Sequence, residues 1–162
     1  MTLHLLDANV IIRAHEDYYP VDRIPQFWTW LLDMAAANSI KMPRLIFNEI
    51  TPSAGPLAEW IKQTHIKDAM ILDEPVDAAR VQHVLEHGYA PDLNDVEIEE
   101  IGKDPFLVAA ALAAPDRVVV TREVSKPSKI RANRHLPDVC AGFGVPVITD
   151  FALYRVLQFS IG

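Results

Sequence analysis

The sequence predicts an α/β domain with a mostly parallel sheet, and three observations carry that expectation. A short apolar run, Leu3-His4-Leu5-Leu6, begins near the first residue and ends in a carboxylate, Asp7. The unbroken triplet Val118-Val119-Val120 has the character of a strand covered on both faces. Helical patterns separate these and three weaker strand signals, and strands alternating with helices imply right-handed βαβ units.

Along the chain, Leu3–Leu6 reads as a strand, followed by a short helix from Val10 and a Tyr18-Tyr19-Pro20 loop. Pro25 opens a helix in which Phe27, Trp28, Leu31, Leu32 and Met34 recur at close to helical spacing. Ser39–Met42 is a short strand, and Pro43 starts a helix carrying Leu45, Ile46, Glu49 and Ile50. Proline and glycine between Pro52 and Pro56 punctuate the chain before a helix over Leu57–Thr64. Met70–Leu72 is a minor strand, and Val76–His87 an amphipathic helix. Asp104-Pro105 begins a helix through Ala114 that is apolar nearly all round and therefore buried. The strand Arg117–Thr121 leads into a basic loop. A helix over Pro137–Gly142, a strand at Pro146–Ile148 and a final helix over Asp150–Phe159 complete the pattern.

At 162 residues the chain forms one domain, long enough to bury about 70% of its unfolded surface without staples. The single cysteine, Cys140, excludes an internal disulfide framework. No basic start followed by an apolar stretch and a cleavage site is present, and the longest apolar run falls short of the ~20 residues of a membrane helix. A soluble, cytoplasmic protein is expected. Net charge is −7, yet its distribution is uneven. Asp92 to Asp104 holds six acids against Lys103 alone. Arg122, Lys126, Lys129, Arg131 and Arg134 then fall within fourteen positions, opposed only by Glu123. Such a stretch is either a solvated loop or a landing place for an anionic substrate.

Five acids fall at the ends of elements: Asp7, Glu49, Asp104, Glu123 and Asp138. The carboxyl edge of an open α/β sheet is where ligands bind. Carboxylates are the ligands preferred by hard divalent cations, and several converging without one would repel each other. Each acid also has a plainer reading. Asp7 and Asp104 are good helix N-caps, the latter followed by Pro. Glu49 is by type a solvated residue. Asp73 and Asp150 lie at strand ends as well. The six histidines are scattered, without zinc spacing.

Taken in order, LLDAN at the first strand, Asn48-Glu49 after the second, KDPFLVAAAL, VVVTRE and the closing LPDVCAGFGVPVIT resemble the PIN domain. This is the metal-dependent nuclease family that includes VapC-type toxins. The resemblance spans nearly the whole chain and implies a Rossmann-like, three-layer α/β/α sandwich whose acids bind Mg²⁺ or Mn²⁺. Asp7, Glu49 and Asp104 match the family's first three acids. For the fourth, many members carry Asp soon after Thr-Arg, whereas this chain has Thr121-Arg122-Glu123 and then a basic insertion before Asp138. Asp138 is favoured as the fourth, with Glu123 assisting. Asn9 and Thr121 match supporting positions.

By that resemblance the chain is a metal-dependent endoribonuclease and the toxin of a toxin–antitoxin pair, leaving 5′-phosphate and 3′-hydroxyl ends. Asp7, Asp104 and Asp138 hold the metal, and Glu49 orients or deprotonates the attacking water. The basic loop clamps phosphates. Tyr18 and Tyr19 either stack on unpaired bases or pack within their loop. The implied partners are RNA, a small antitoxin and a second copy of the chain. A haloacid-dehalogenase-like phosphotransfer domain needs a second Asp where Asn9 stands, which disfavours it. The non-enzymatic alternative is a scaffold that binds RNA or protein without cutting.

Overall fold

The first strand lies inside the sheet, with a neighbour on each side. In the computed structural model, which describes all 162 residues, β1 (Leu3–Leu6) pairs in parallel with β2 (Ile40–Lys41) on one side and β3 (Arg117–Val120) on the other. β4 (Val147–Ile148) extends the far edge, giving the order β2-β1-β3-β4, parallel throughout. Leu5, Leu6, Val119 and Val120 are fully buried.

Ten α-helices complete a three-layer α/β/α fold: α1 (Ala8–Arg13), α2 (Pro25–Ala36), α3 (Arg44–Phe47), α4 (Pro56–Ile61), α5 (Thr64–Met70), α6 (Ala78–Val84), α7 (Asp95–Ile101), α8 (Asp104–Leu112), α9 (Leu136–Gly142) and α10 (Asp150–Val156). Pro25, Pro56, Pro105 and Pro137 each lie in a first turn, where a missing N–H removes nothing the helix would use. Helix α8 buries Leu107, Val108, Ala109 and Ala111 against β3, α6 and α3. Tyr19, Phe27, Trp30, Tyr154 and Phe159 form an aromatic cluster joining the α2 side of the core to the C-terminal helix. No helix is long and apolar enough to cross a membrane.

Several boundaries differ from the sequence expectation. Helix α3 stops at Phe47, leaving Asn48 and Glu49 in a turn, since the residue before Pro52 disfavours helix. The expected strand at Met70–Leu72 is a single bridge, Ile71 to Met42, after a helix that runs to Met70. The Val76–His87 helix starts at Ala78, with Asp77 as its cap, and passes at Leu85 into a π turn ending at Tyr89. A second π turn, Ala14–Tyr18, extends α1 and takes Tyr18 out of the expected loop. The acidic run holds an unexpected helix, α7, begun by a reciprocal capping box between Asn94 and Glu97.

The strand order reverses between β1 and β3, because the chain goes outward from β1 to β2 and then returns to β1's other side. In open α/β sheets ligands bind outside the carboxyl ends of the strands at such a switch point. Asp7 follows β1 there, and Thr121-Arg122-Glu123 follows β3.

Candidate functional site

Asp7 is 7% exposed, and it occupies the N-cap position of α1 without making a side-chain cap hydrogen bond. Its Oδ2 accepts instead from the Thr121 hydroxyl at 2.9 Å and from Asn9 Nδ2 at 3.2 Å. Asn9 Oδ1 in turn accepts from the Arg122 N–H at 3.1 Å, and Thr121 Oγ1 accepts from the Glu123 N–H at 3.1 Å. The ends of β1 and β3 are thus stitched together by Asn9 and Thr121. Asp104 is likewise no cap: it is the first residue of α8, behind Lys103, and caps nothing. Capping therefore accounts for neither aspartate.

Charge shows which acids share this space. Burial raises the Asp7 pKa, opposed by the Thr121 hydroxyl and the adjacent Ala8 backbone and then raised further by Glu123. Asp104 is pushed up to about 8, first by burial and then by Asp7, Glu123 and Glu49. Glu49 is raised by burial and by Asp7, with Lys103 opposing. Four carboxylates from four separate parts of the chain act on one another, with Lys103 the cation that offsets Glu49. Beneath them, burial and the charges of Asp104, Asp7 and Glu123 push the Cys140 thiol up to about 12, which keeps it protonated and inert.

Asp138 does not join them. Its carboxylate accepts from the Ser125 hydroxyl and from the Lys126 N–H, and these bonds hold its pKa low, aided by Arg134 and His135. It clamps the basic insertion onto α9. Glu123, expected from sequence to assist, is the acid after β3 whose charge reaches Asp7 and Asp104. One Glu123 oxygen accepts from the Leu136 N–H at 3.2 Å.

Asp7, Glu49, Asp104 and Glu123 are hard oxygen donors bearing like charge with little compensation, the donor chemistry that Mg²⁺ and Mn²⁺ take. No three of them stand close enough to form a ready-made ligand set. The donors fit the ion by type and charge. A more enclosed cavity, about 60 Å³, is lined by Leu72, Val76, Val81 and Phe106 but by none of these acids, and is far below the ~300 Å³ of a small-molecule site.

The basic stretch is mostly engaged within the protein. Arg122 pairs with the fully buried Asp150 at 2.9 Å and lies over the adjoining Tyr18 and Phe151 rings. Arg131 bonds both Glu97 oxygens at 2.9 Å and Asp92 at 2.7 Å. Arg134 donates to the carbonyls of Gly88 and Asp138. Of the five cations expected to clamp RNA, only Lys126 and Lys129 are exposed and free of ion pairs. Tyr18 packs on Phe151, and Tyr19 stacks on Phe27. Sequence reasoning overlooked Asp150 as a partner: two acids at strand ends look alike, yet Asp73 is exposed and Asp150 fully buried.

The raised carboxylates give a pH dependence with a defined sign. A group whose folded pKa lies above its unfolded value stabilises the fold at low pH, and that stability is lost as pH rises through the folded value. The cation-free protein is therefore expected to lose stability steadily between about pH 4 and about pH 8, the span of Asp104. Carboxylates held low, such as Asp138, act in the opposite sense below that window. Urea denaturation in EDTA across the range checks this, and Asp104→Asn should flatten the slope.

No curated protein and no solved structure matches the chain. A family model does, over residues 4–161, and the chain belongs to that family, DUF4411, described as a domain of unknown function.

Proposed function

We propose that this protein is a Mg²⁺- or Mn²⁺-dependent endoribonuclease working at the β1–β3 switch point. The observation that carries the reading is the electrostatic coupling among Asp7, Glu49, Asp104 and Glu123. Asp7, Asp104 and Glu123 would hold the cation. When bound, it supplies a water of lowered pKa and neutralises charge gathering on the phosphate. Asn9 and Thr121 fix the Asp7 carboxylate. Glu49, the most exposed of the four, takes the proton from the attacking water. Its raised pKa makes it a better base than an ordinary glutamate. The new P–O bond forms as the bond to the 3′-oxygen breaks, leaving a 5′-phosphate and a 3′-hydroxyl.

RNA as the substrate rests on the resemblance to PIN domains, as does membership of a toxin–antitoxin pair in the cytoplasm. A small antitoxin would cover the acid edge, and a second copy of the chain is a further partner of that kind. The deciding experiment is cleavage of a pool of single-stranded and structured RNA with Mg²⁺, Mn²⁺ or EDTA, wild type beside Asp7→Asn. Cutting that needs the cation and Asp7 is the expected result. Cutting in EDTA would overturn the reading.

Phosphate contact falls to Lys126 and Lys129. Replacing both with Gln should make the log–log salt dependence of RNA binding shallower by about 0.7 per lysine, as measured by fluorescence anisotropy. Reversing Arg131 or Arg134 instead would break internal bonds and blur the result. An unchanged slope would assign the insertion no contact with RNA.

A scaffold that binds without cutting draws on one observation, that no three acids form a ready-made ligand set. Mn²⁺ titration separates the two readings, because a scaffold has no need of the ion.

A further inference from the structure

The six histidines are spread along the chain, yet the fold sets two of them face to face. His83 lies in the last turn of α6, and His87 in the π turn that continues it. Their ring centroids stand 4.5 Å apart, with the planes tilted by 44°. Both side chains are exposed, and neither imidazole is engaged by a hydrogen bond or an ion pair within the protein. His4, His15 and His135, by contrast, each commit Nδ1 to the backbone.

The backbone accounts for this approach. Residues four apart in an α-helix share a face, offset by roughly 40° about the axis. Between His83 and His87 the chain passes from α to the wider π geometry, whose smaller angular step per residue reduces that offset. Helix α9 supports the same turn. A Cβ on Gly88 would lie 2.8 Å from the Phe143 ring, so the missing side chain lets that ring close on the turn. The Phe143 ring in turn lies 5.7 Å from that of His83. Arg134 donates to the Gly88 carbonyl and holds the turn in place.

Imidazole nitrogen suits Zn²⁺ and Cu²⁺, whereas the hard Mg²⁺ ion takes oxygen. With metal–nitrogen bonds of ~2.0 Å, two imidazoles at adjacent positions of one ion have ring centres roughly 4.5 to 5 Å apart, the separation found here. The segment His83-Val84-Leu85-Glu86-His87 also has the His-x-x-Glu-His order that one class of zinc peptidases carries. A catalytic zinc takes three protein ligands, and no third His, Cys, Asp or Glu completes a set with this pair. Glu86 is moreover turned towards Gln82, accepting from its Nε2 at 2.9 Å. The arrangement suits binding and not hydrolysis.

We propose that His83 and His87 form a two-nitrogen site for a divalent transition-metal ion of the Zn²⁺ or Cu²⁺ kind, with solvent completing the coordination. The site uses none of the acids at the switch point, and it stands whether or not those acids hold a cation.

The test is calorimetric titration of the whole chain with Zn²⁺ and with Cu²⁺, in excess Mg²⁺ to occupy oxygen donors, on wild type, His83→Gln and His87→Gln. Pulsed electron paramagnetic resonance of the Cu²⁺ form identifies the ligands, and thermal melting checks that each variant is folded. One ion per chain is expected. Two ligands on one scaffold make the second bond intramolecular, so either substitution should weaken binding at least about tenfold. The resonance spectrum should show two imidazoles in the wild type and one in each variant. Wild-type affinity in either folded variant would overturn the proposal, as would a single imidazole in the wild-type spectrum. Binding of neither ion by the wild type would overturn it too, and would leave the reading of the acid edge untouched.

Discussion

Asp7→Asn is expected to reduce divalent-cation-dependent RNA cleavage by at least about 100-fold, since loss of outer-shell partners alone weakens metal sites by 10- to 100-fold. The same substitution should make the cation-free protein more stable. Asn is isosteric, and its amide oxygen can still accept from the Thr121 hydroxyl and from Asn9. What disappears is a buried charge that desolvation and Glu123 already disfavour, and which itself presses on Asp104 and Glu49. A residue kept for packing loses stability when altered, whereas one kept for chemistry commonly gains it. Single-turnover cleavage with Mn²⁺ and urea denaturation in EDTA measure the two effects separately. Retained cleavage would remove Asp7 from the mechanism. Lost stability would make it a structural residue, and any fall in activity would then reflect damage to the fold.

The parts of this fold that were legible in the sequence are those where one local signal dominates. Leu3–Leu6 and Val118–Val120 could be read as buried parallel strands because they lack the alternation of a half-exposed sheet, and both lie at the centre. The α8 helix announced its burial by being apolar on every side. Helix α7 carried a readable signal too, Asn94 three residues before Glu97, but the density of acids drew attention to charge rather than to capping. The choice between Glu123 and Asp138 was not legible. Both follow β3, and they are separated by how the insertion folds, which depends on Ser125 and the Lys126 N–H reaching Asp138. The basic stretch misled for the same reason. Arg131 answers Glu97 from 34 positions away and Arg122 answers Asp150 from 28, distances over which sequence alone pairs nothing.

Asp150→Ala is expected to destabilise the protein by about 3 kcal/mol, the largest stability effect of any surface-to-site contact described above. Breaking a buried ion pair by removing one partner costs roughly 3–5 kcal/mol because the other charge is left without compensation. Arg122 is 23% exposed, which lets water reach it and places the effect at the lower end. Some of the guanidinium's environment survives, since the adjoining Tyr18 and Phe151 rings remain against it. The loss does not stop at the pair. The Arg122 N–H fixes Asn9, Asn9 fixes Asp7, and the next residue in the chain is Glu123. Pairing Asp150→Leu with Arg122→Met should recover much of the stability lost in Asp150→Leu alone, since no unpaired charge then remains. Chemical denaturation of the two singles and the double closes that cycle. Additive losses would mean that the rings, and not Asp150, hold Arg122 in place, and that the site edge is anchored by stacking.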